Sequence, residues 1–279
     1  YPKVFGYIFI GLVKAGEESG ELEKTLGRIN ELLTKQAAVK AKVIGTMMYP
    51  TFVICLAFVI SIVMLTFVFP AFKGMFEMQE KALPLITTLM INAGDYLKTY
   101  WYTIPIFLLF LAVFIYMVMN WEPAKKVFDR FVLKIPLISN LVMYSNYSNF
   151  MSVFSVSYDA GIPILECLYL SRTTLSNSVM QDAIRISIKK MQAGAHLSDA
   201  LRAANIFPKM VLFMVSTGEQ SGRLGELMTQ CVTHIDQQLD IIVDTIGKLI
   251  EPLLLIFIGA LVCFLALALY LPLFQSYSV

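Results

Sequence analysis

Along this chain of 279 residues, charged side chains vanish from three long stretches and gather in the segments between them. Met47 to Phe72 reads MMYPTFVICLAFVISIVMLTFVFPAF, Trp101 to Asn120 reads WYTIPIFLLFLAVFIYMVMN, and Pro252 to Phe274 reads PLLLIFIGALVCFLALALYLPLF. A helix needs about 20 apolar residues to cross the hydrocarbon core, so each stretch predicts a membrane span. Tyr96, Tyr100, Trp101 and Tyr102 crowd one end of the second stretch, and Tyr116 and Trp121 the other, as interfacial belts do.

Outside these runs the apolar residues recur at helical spacing. Leu22, Leu26, Ile29, Leu32 and Leu33 predict a long helix from Glu21 to about Met47, and Leu224, Leu227, Met228, Cys231 and Ile235 predict another from Arg223 to about Ile250. Each would be roughly 40 Å long. Further helices are predicted over 138–158, 164–174 and 178–192, with a break at Asp159-Ala-Gly-Ile-Pro163. A short helix capped near Ser198 follows, and then Phe207 to Thr217. The fold class is therefore an all-α membrane protein with three transmembrane helices and a six-helix domain over 121–250.

One ungapped offset aligns the stretch from Phe5 to Phe72 with that from Phe207 to Phe274. It carries Gly16, Glu17, Ser19, Gly20 and Leu22 onto Gly218, Glu219, Ser221, Gly222 and Leu224, and Gly45, Pro50, Pro70 and Phe72 onto Gly247, Pro252, Pro272 and Phe274. A shared order of Gly and Pro over that length marks an internal repeat. Each copy holds a short apolar helix, the turn G-E-x-S-G, a long helix and a span opened by Tyr49-Pro50 or Glu251-Pro252. The first copy lacks the helices that precede Phe207 in the second, so about 70 further residues are expected before Tyr1.

Charge sets the orientation. Lys35, Lys40 and Lys42 precede the first span, Lys125, Lys126, Arg130 and Lys134 follow the second, and Lys248 precedes the third. Basic residues favour the cytoplasmic side, which predicts a cytoplasmic N-terminus. Residues 1–46 are then the end of a first cytoplasmic helical domain, 47–72 a span, 73–99 an outer connector and 100–120 the second span. Residues 121–250 form the second cytoplasmic domain, 251–275 the third span and 276–279 an outer tail. The repeat agrees, because two copies that both run outward require one crossing back between them. At 57% hydrophobic and 15% charged, the composition points to a lipid bilayer, and a net charge of +2 gives no sign of a nucleic-acid partner.

Candidate chemistry is sparse. Cys55, Cys167, Cys231 and Cys263 lie far apart with no CxxC, against a disulfide framework or a zinc site. G-E-x-S-G places its serine fourth, unlike the nucleophile elbow G-x-S-x-G. No phosphate-binding G-x-x-x-x-G-K-[ST] occurs, and His196 and His234 have no counterparts in the other copy. No enzyme activity, cofactor or metal site is expected. The turn has an architectural reading: Gly16 and Gly218 as left-handed helix ends, Ser19 and Ser221 as N-caps of the long helices. That leaves Glu17 and Glu219 as candidates for a partner contact or an inter-helix salt bridge. Glu251, at the mouth of a span, is expected to pair with Lys248.

The segments DAGIPILECL (159–168), ALRAANIFPKMVLFMVSTGEQSGRL (200–224) and IEPLLLIFIGALVCFLAL (250–267) resemble the PilC/GspF family, the inner-membrane platform proteins of type IV pili and type II secretion. The resemblance covers the whole chain except the first domain's opening helices. It implies a multi-pass protein of the bacterial inner membrane, with a periplasmic connector and tail. As a non-enzymatic platform it would couple a cytoplasmic hexameric assembly ATPase to insertion or extraction of pilin-like subunits. Its implied partners are that ATPase, pilin or pseudopilin transmembrane helices, other inner-membrane assembly proteins and further copies of itself. Gly16, Glu17, Ser19, Gly20, Gly218, Glu219, Ser221 and Gly222 carry the family signature. A small membrane transporter or channel subunit is the alternative reading, against which the spans carry few polar residues to line a path.

Overall fold

The computed structural model describes residues 22–71, 84–100 and 102–277, together with Ile10, Leu12, Val13 and Glu17. Among them every regular element is a helix. The first, α1 (Leu22–Val63), runs for 42 residues and passes through a π-helical turn, Met64–Val68, before ending at Ala71. There follow α2 (Leu85–Thr99), α3 (Thr103–Asn120), α4 (Glu122–Val132), α5 (Ile138–Asp159), α6 (Ile164–Arg172), α7 (Ser178–Gln192), α8 (Leu197–Ala204) and α9 (Lys209–Ser221). The last helix, α10 (Leu224–Tyr277), has 54 residues.

The expectation that Pro50 and Pro252 open new helices is corrected. Both prolines lie inside helices, Pro50 within α1 and Pro252 within α10, and the helix continues on either side. An interior proline removes one backbone hydrogen bond and kinks a helix. It does not end one whose apolar continuation has no other way to satisfy its amides in lipid. At 1.5 Å per residue α1 and α10 are roughly 60 and 80 Å long. Two stretches, Thr25–Ala71 and Leu224–Leu271, are long and apolar enough to cross a membrane. The second uncharged stretch, Trp101 to Asn120, contains α3, an 18-residue helix.

The chain divides into two compact units. One contains Tyr1–Val43 and Trp121–Thr245, the other Ile44–Asn120 and Ile246–Val279. The core of the first is built on α5, whose Tyr147, Phe150, Met151 and Phe154 are almost fully buried. Phe207 stacks against it, with ring centroids 5.5 Å from Tyr147 and 5.3 Å from Phe150. Burial pushes the Tyr147 phenol's pKa up, and its hydroxyl donates to the Ile206 carbonyl. Leu12 and Ile29, from the first repeat copy, belong to the same core as Met228, Cys231 and Ile235 from the second.

The second unit has a smaller core of Phe69, Ile91, Leu265 and Ala268. Here α2, in a segment the sequence reading treated only as a connector, packs through Thr87, Ile91 and Gly94. That spacing is helical, and it is the signal the sequence offered. The Thr87 hydroxyl donates to the Ala268 carbonyl over 2.8 Å. Gly94 lies against the π-helical turn so closely that a Cβ there would fall 2.1 Å from the Leu65 oxygen.

Candidate functional site

The second G-E-x-S-G lies where α9 gives way to α10. Gly222 adopts the left-handed conformation, φ 71° and ψ 10°, and ends α9. Gly218 does not. It is buried inside α9, where a Cβ would come within 3.0 Å of the Leu224 Cα and 3.4 Å of the Leu227 Cβ. The left-handed turn expected at Gly218 is thus made by Gly222, and Gly218 lets α9 and α10 touch.

Ser221 is not the N-cap of α10. It is the last residue of α9, and its hydroxyl donates back to the Thr217 carbonyl over 2.7 Å. A helical backbone at position 221 holds the serine too early to reach the first amides of α10. Arg223 stands there instead, its guanidinium reaching Glu226 from Nε over 2.9 Å.

Glu219 is committed within the fold. Its Oε1 accepts from the Leu197 amide at 2.8 Å, and its Oε2 accepts from the Ser198 amide at 3.1 Å and the Ser198 hydroxyl at 2.9 Å. These amides are free donors at the start of α8, and His196 in the N-cap position supplies no side-chain acceptor. The cap expected from Ser198 therefore comes from α9, because Ser198 lies inside the helix as a donor. Burial pushes the Glu219 carboxyl up, but the Leu197 and Ser198 amides, the Ser198 hydroxyl and nearby His196 together outweigh it and hold it below its ordinary value. His196 Nδ1 lies 3.3 Å from Oε1. The open depression beside this corner is lined by polar side chains, among them Asp199, Arg202, Ser216 and Gln220. A carboxylate held ionised by three donors is a good helix cap and a poor proton acceptor.

In the first copy Glu17 is helical and exposed, whereas Gly16, Ser19 and Gly20 lie outside the described residues. Of the span-opening residues, Tyr49 and Glu251 are exposed. The expected pairing of Glu251 with Lys248 is not formed; both side chains are exposed on α10. Burial drives the Cys167 thiol up to about 12. Among the described residues no three His, Cys, Asp or Glu side chains gather as metal ligands would.

Sequence periodicity alone did not reveal a ladder of charge that joins α1 to α5 and α10. Arg28 faces Asp159 at 4.0 Å, Lys35 pairs with Asp236, and Lys42 reaches Asp240 at 2.8 Å and Asp244 at 3.2 Å. The bases recur every seven residues along α1, a heptad signal that was present in the sequence. Ser155 and Thr229, 3.2 Å apart, and Ser152 continue a polar seam beside it.

Residues 1–70 and 150–272 match the family model described as type II secretion system (T2SS), protein F. The chain is 33% identical over 278 residues to the type IV pilus assembly protein TapC of Aeromonas hydrophila, covering 99% of this chain and 67% of that protein. It is 29% identical to the type IV pilus assembly protein PilC of Pseudomonas aeruginosa, covering 100% and 75%. To the type II secretion system protein F of Vibrio cholerae it is 26% identical, covering 99% and 68%.

Proposed function

As a member of the family of type II secretion system protein F, this chain is, we propose, an inner-membrane platform of a type IV pilus or type II secretion machine. It crosses the membrane three times, through the apolar parts of α1 and α10 and through α3. Its N-terminus and residues 121–250 face the cytoplasm, as the basic residues around Lys35–Lys42 and Lys125–Lys134 favour. The platform couples a cytoplasmic assembly ATPase to insertion or extraction of pilin-like subunits, and it works as a non-enzymatic homo-oligomer.

The observation that carries this reading is the continuity of α1 and α10. Each begins in a packed, charged helical unit and proceeds without interruption into an apolar stretch of membrane length. In the platform, that continuous backbone is the route by which displacement of the helical unit reaches the membrane stretch. Within this reading Glu219 serves the fold, and exposed Glu17 is the carboxylate left to meet a partner.

The test is capture of the assembly ATPase by the full chain in nanodiscs, wild type against Glu17→Lys. Capture by wild type, weakened by Glu17→Lys without change in thermal stability, is the expected result. No capture of any assembly ATPase would remove the coupling role. Equal capture by both would remove Glu17 from the contact.

A further inference from the structure

Helix α4 is amphipathic, yet it is mounted the wrong way round for a soluble bundle. Its polar side is the one docked. Asp129 Oδ2 accepts from the Ser178 amide over 2.7 Å at the start of α7, the Asp129 carbonyl accepts from Asn177 Nδ2, and Lys126 reaches Asp182 at 3.5 Å. The apolar side faces outward: Val127 is 68% exposed, Phe128 55% and Phe131 61%, with Trp121 at 67% just before the helix. A surface helix of a globular domain places its apolar stripe against the core. Here Asp129 and Lys126 hold that stripe away from it.

The occupant is indicated by charge and by the chain itself. Lys125 and Arg130 flank the apolar stripe on either side when projected on a helix of 3.6 residues per turn, and Lys134 follows just past the helix end. Aromatic and aliphatic residues on one face with basic residues along its margins are the pattern of a helix lying in a membrane interface. Only Trp121 separates the helix from Asn120, the end of the uncharged α3. Covalent continuity therefore delivers the exposed face to wherever α3 ends.

We propose that α4 is a membrane-surface anchor, with Val127, Phe128 and Phe131 seated among the acyl chains and Lys125, Arg130 and Lys134 on anionic lipid headgroups. Rigidly tied to α7 through Asp129, it fixes the helical unit against the bilayer. The inference rests on the three-crossing reading above, because α3 must end at the cytoplasmic surface.

The test uses the full chain in vesicles, with tryptophan fluorescence quenched by lipids carrying a nitroxide near the headgroup. Trp101→Phe leaves Trp121 as the only indole; Trp101→Phe/Trp121→Phe/Phe131→Trp leaves one at position 131. The two positions lie about 15 Å apart along a helix. The expected result is quenching at 131 as strong as at 121. It should be stronger in vesicles containing phosphatidylglycerol than in phosphatidylcholine alone, since each basic residue favours contact with an anionic surface by about fivefold. Lys125→Gln/Arg130→Gln/Lys134→Gln should abolish that dependence on lipid charge.

Quenching at 121 but not at 131 would overturn the anchor and leave the topology standing. A blue-shifted indole at 131 that no nitroxide depth quenches would mean a protein, such as a second copy, covers the face, and would overturn it too. Loss of quenching at both positions would overturn the three-crossing reading and the anchor with it. A quenching pattern indifferent to phosphatidylglycerol would remove the basic residues from the proposal.

Discussion

At position 219 a carboxylate on α9 meets the two free amides that open α8, and this contact answers most of what the G-E-x-S-G motif raises. Its loss should be felt as loss of a helix cap. Glu219→Gln keeps the side chain's size and one acceptor but removes the charge, and is expected to destabilise the helical unit by about 1 kcal/mol. In a thermal melt of the nanodisc-embedded chain that corresponds to a shift of about 2–4 °C. The pH dependence has a definite sign. Because the folded carboxyl titrates below its ordinary value of 4.5, its contribution is present above that value. It is lost as pH falls through the lower folded value. The Glu219→Gln protein should lack that loss on acidification. Stability equal to wild type at neutral pH would exclude the cap as a significant contribution. Gly218→Ala should destabilise by about 1–3 kcal/mol, since its methyl must displace the backbone at Leu224.

Between elements, the ladder Arg28–Asp159, Lys35–Asp236 and Lys42–Asp240/Asp244 fixes how α1 lies against α5 and α10. Partly exposed pairs of this kind contribute only about 0.2–1 kcal/mol each, so the ladder sets register more than stability. Asp236 is the most shielded acid of the set, and it also accepts from the Ser148 hydroxyl. Lys35→Glu is expected to destabilise by about 1 kcal/mol, and Asp236→Lys combined with it to recover a substantial part. The coupling should weaken in high salt. Additive effects in the double mutant would show that the pair does not act as one. The heptad of bases was legible in the sequence, but its acidic partners were not, because they lie on two helices far along the chain.

For the whole molecule, the three-crossing arrangement predicts which cysteines an impermeant maleimide reaches. A cysteine introduced at Lys98, on the outer connector, should label from outside intact cells. One introduced at Lys126 should label only after permeabilisation. Native Cys167 should stay silent in both cases, because burial removes it from the probe and raises its thiol to about 12, leaving almost no thiolate at neutral pH. Labelling at position 126 in intact cells would overturn the arrangement.

The apolar helices of membrane length, the all-helical fold, the duplicated G-E-x-S-G and the family could all be read from the amino-acid order alone. Hydropathy, helical periodicity and repeated Gly and Pro are properties of neighbouring residues, and they survive without any knowledge of packing. Only the tertiary structure assigned the parts. It made Gly222 the turn and Gly218 the contact, gave Glu219 to the start of α8, and carried α1 and α10 through Pro50 and Pro252. It also turned the apolar face of α4 outward. The cap on α8 and the docking of α4 depend on what a residue meets from another element, and a local pattern holds no information about that.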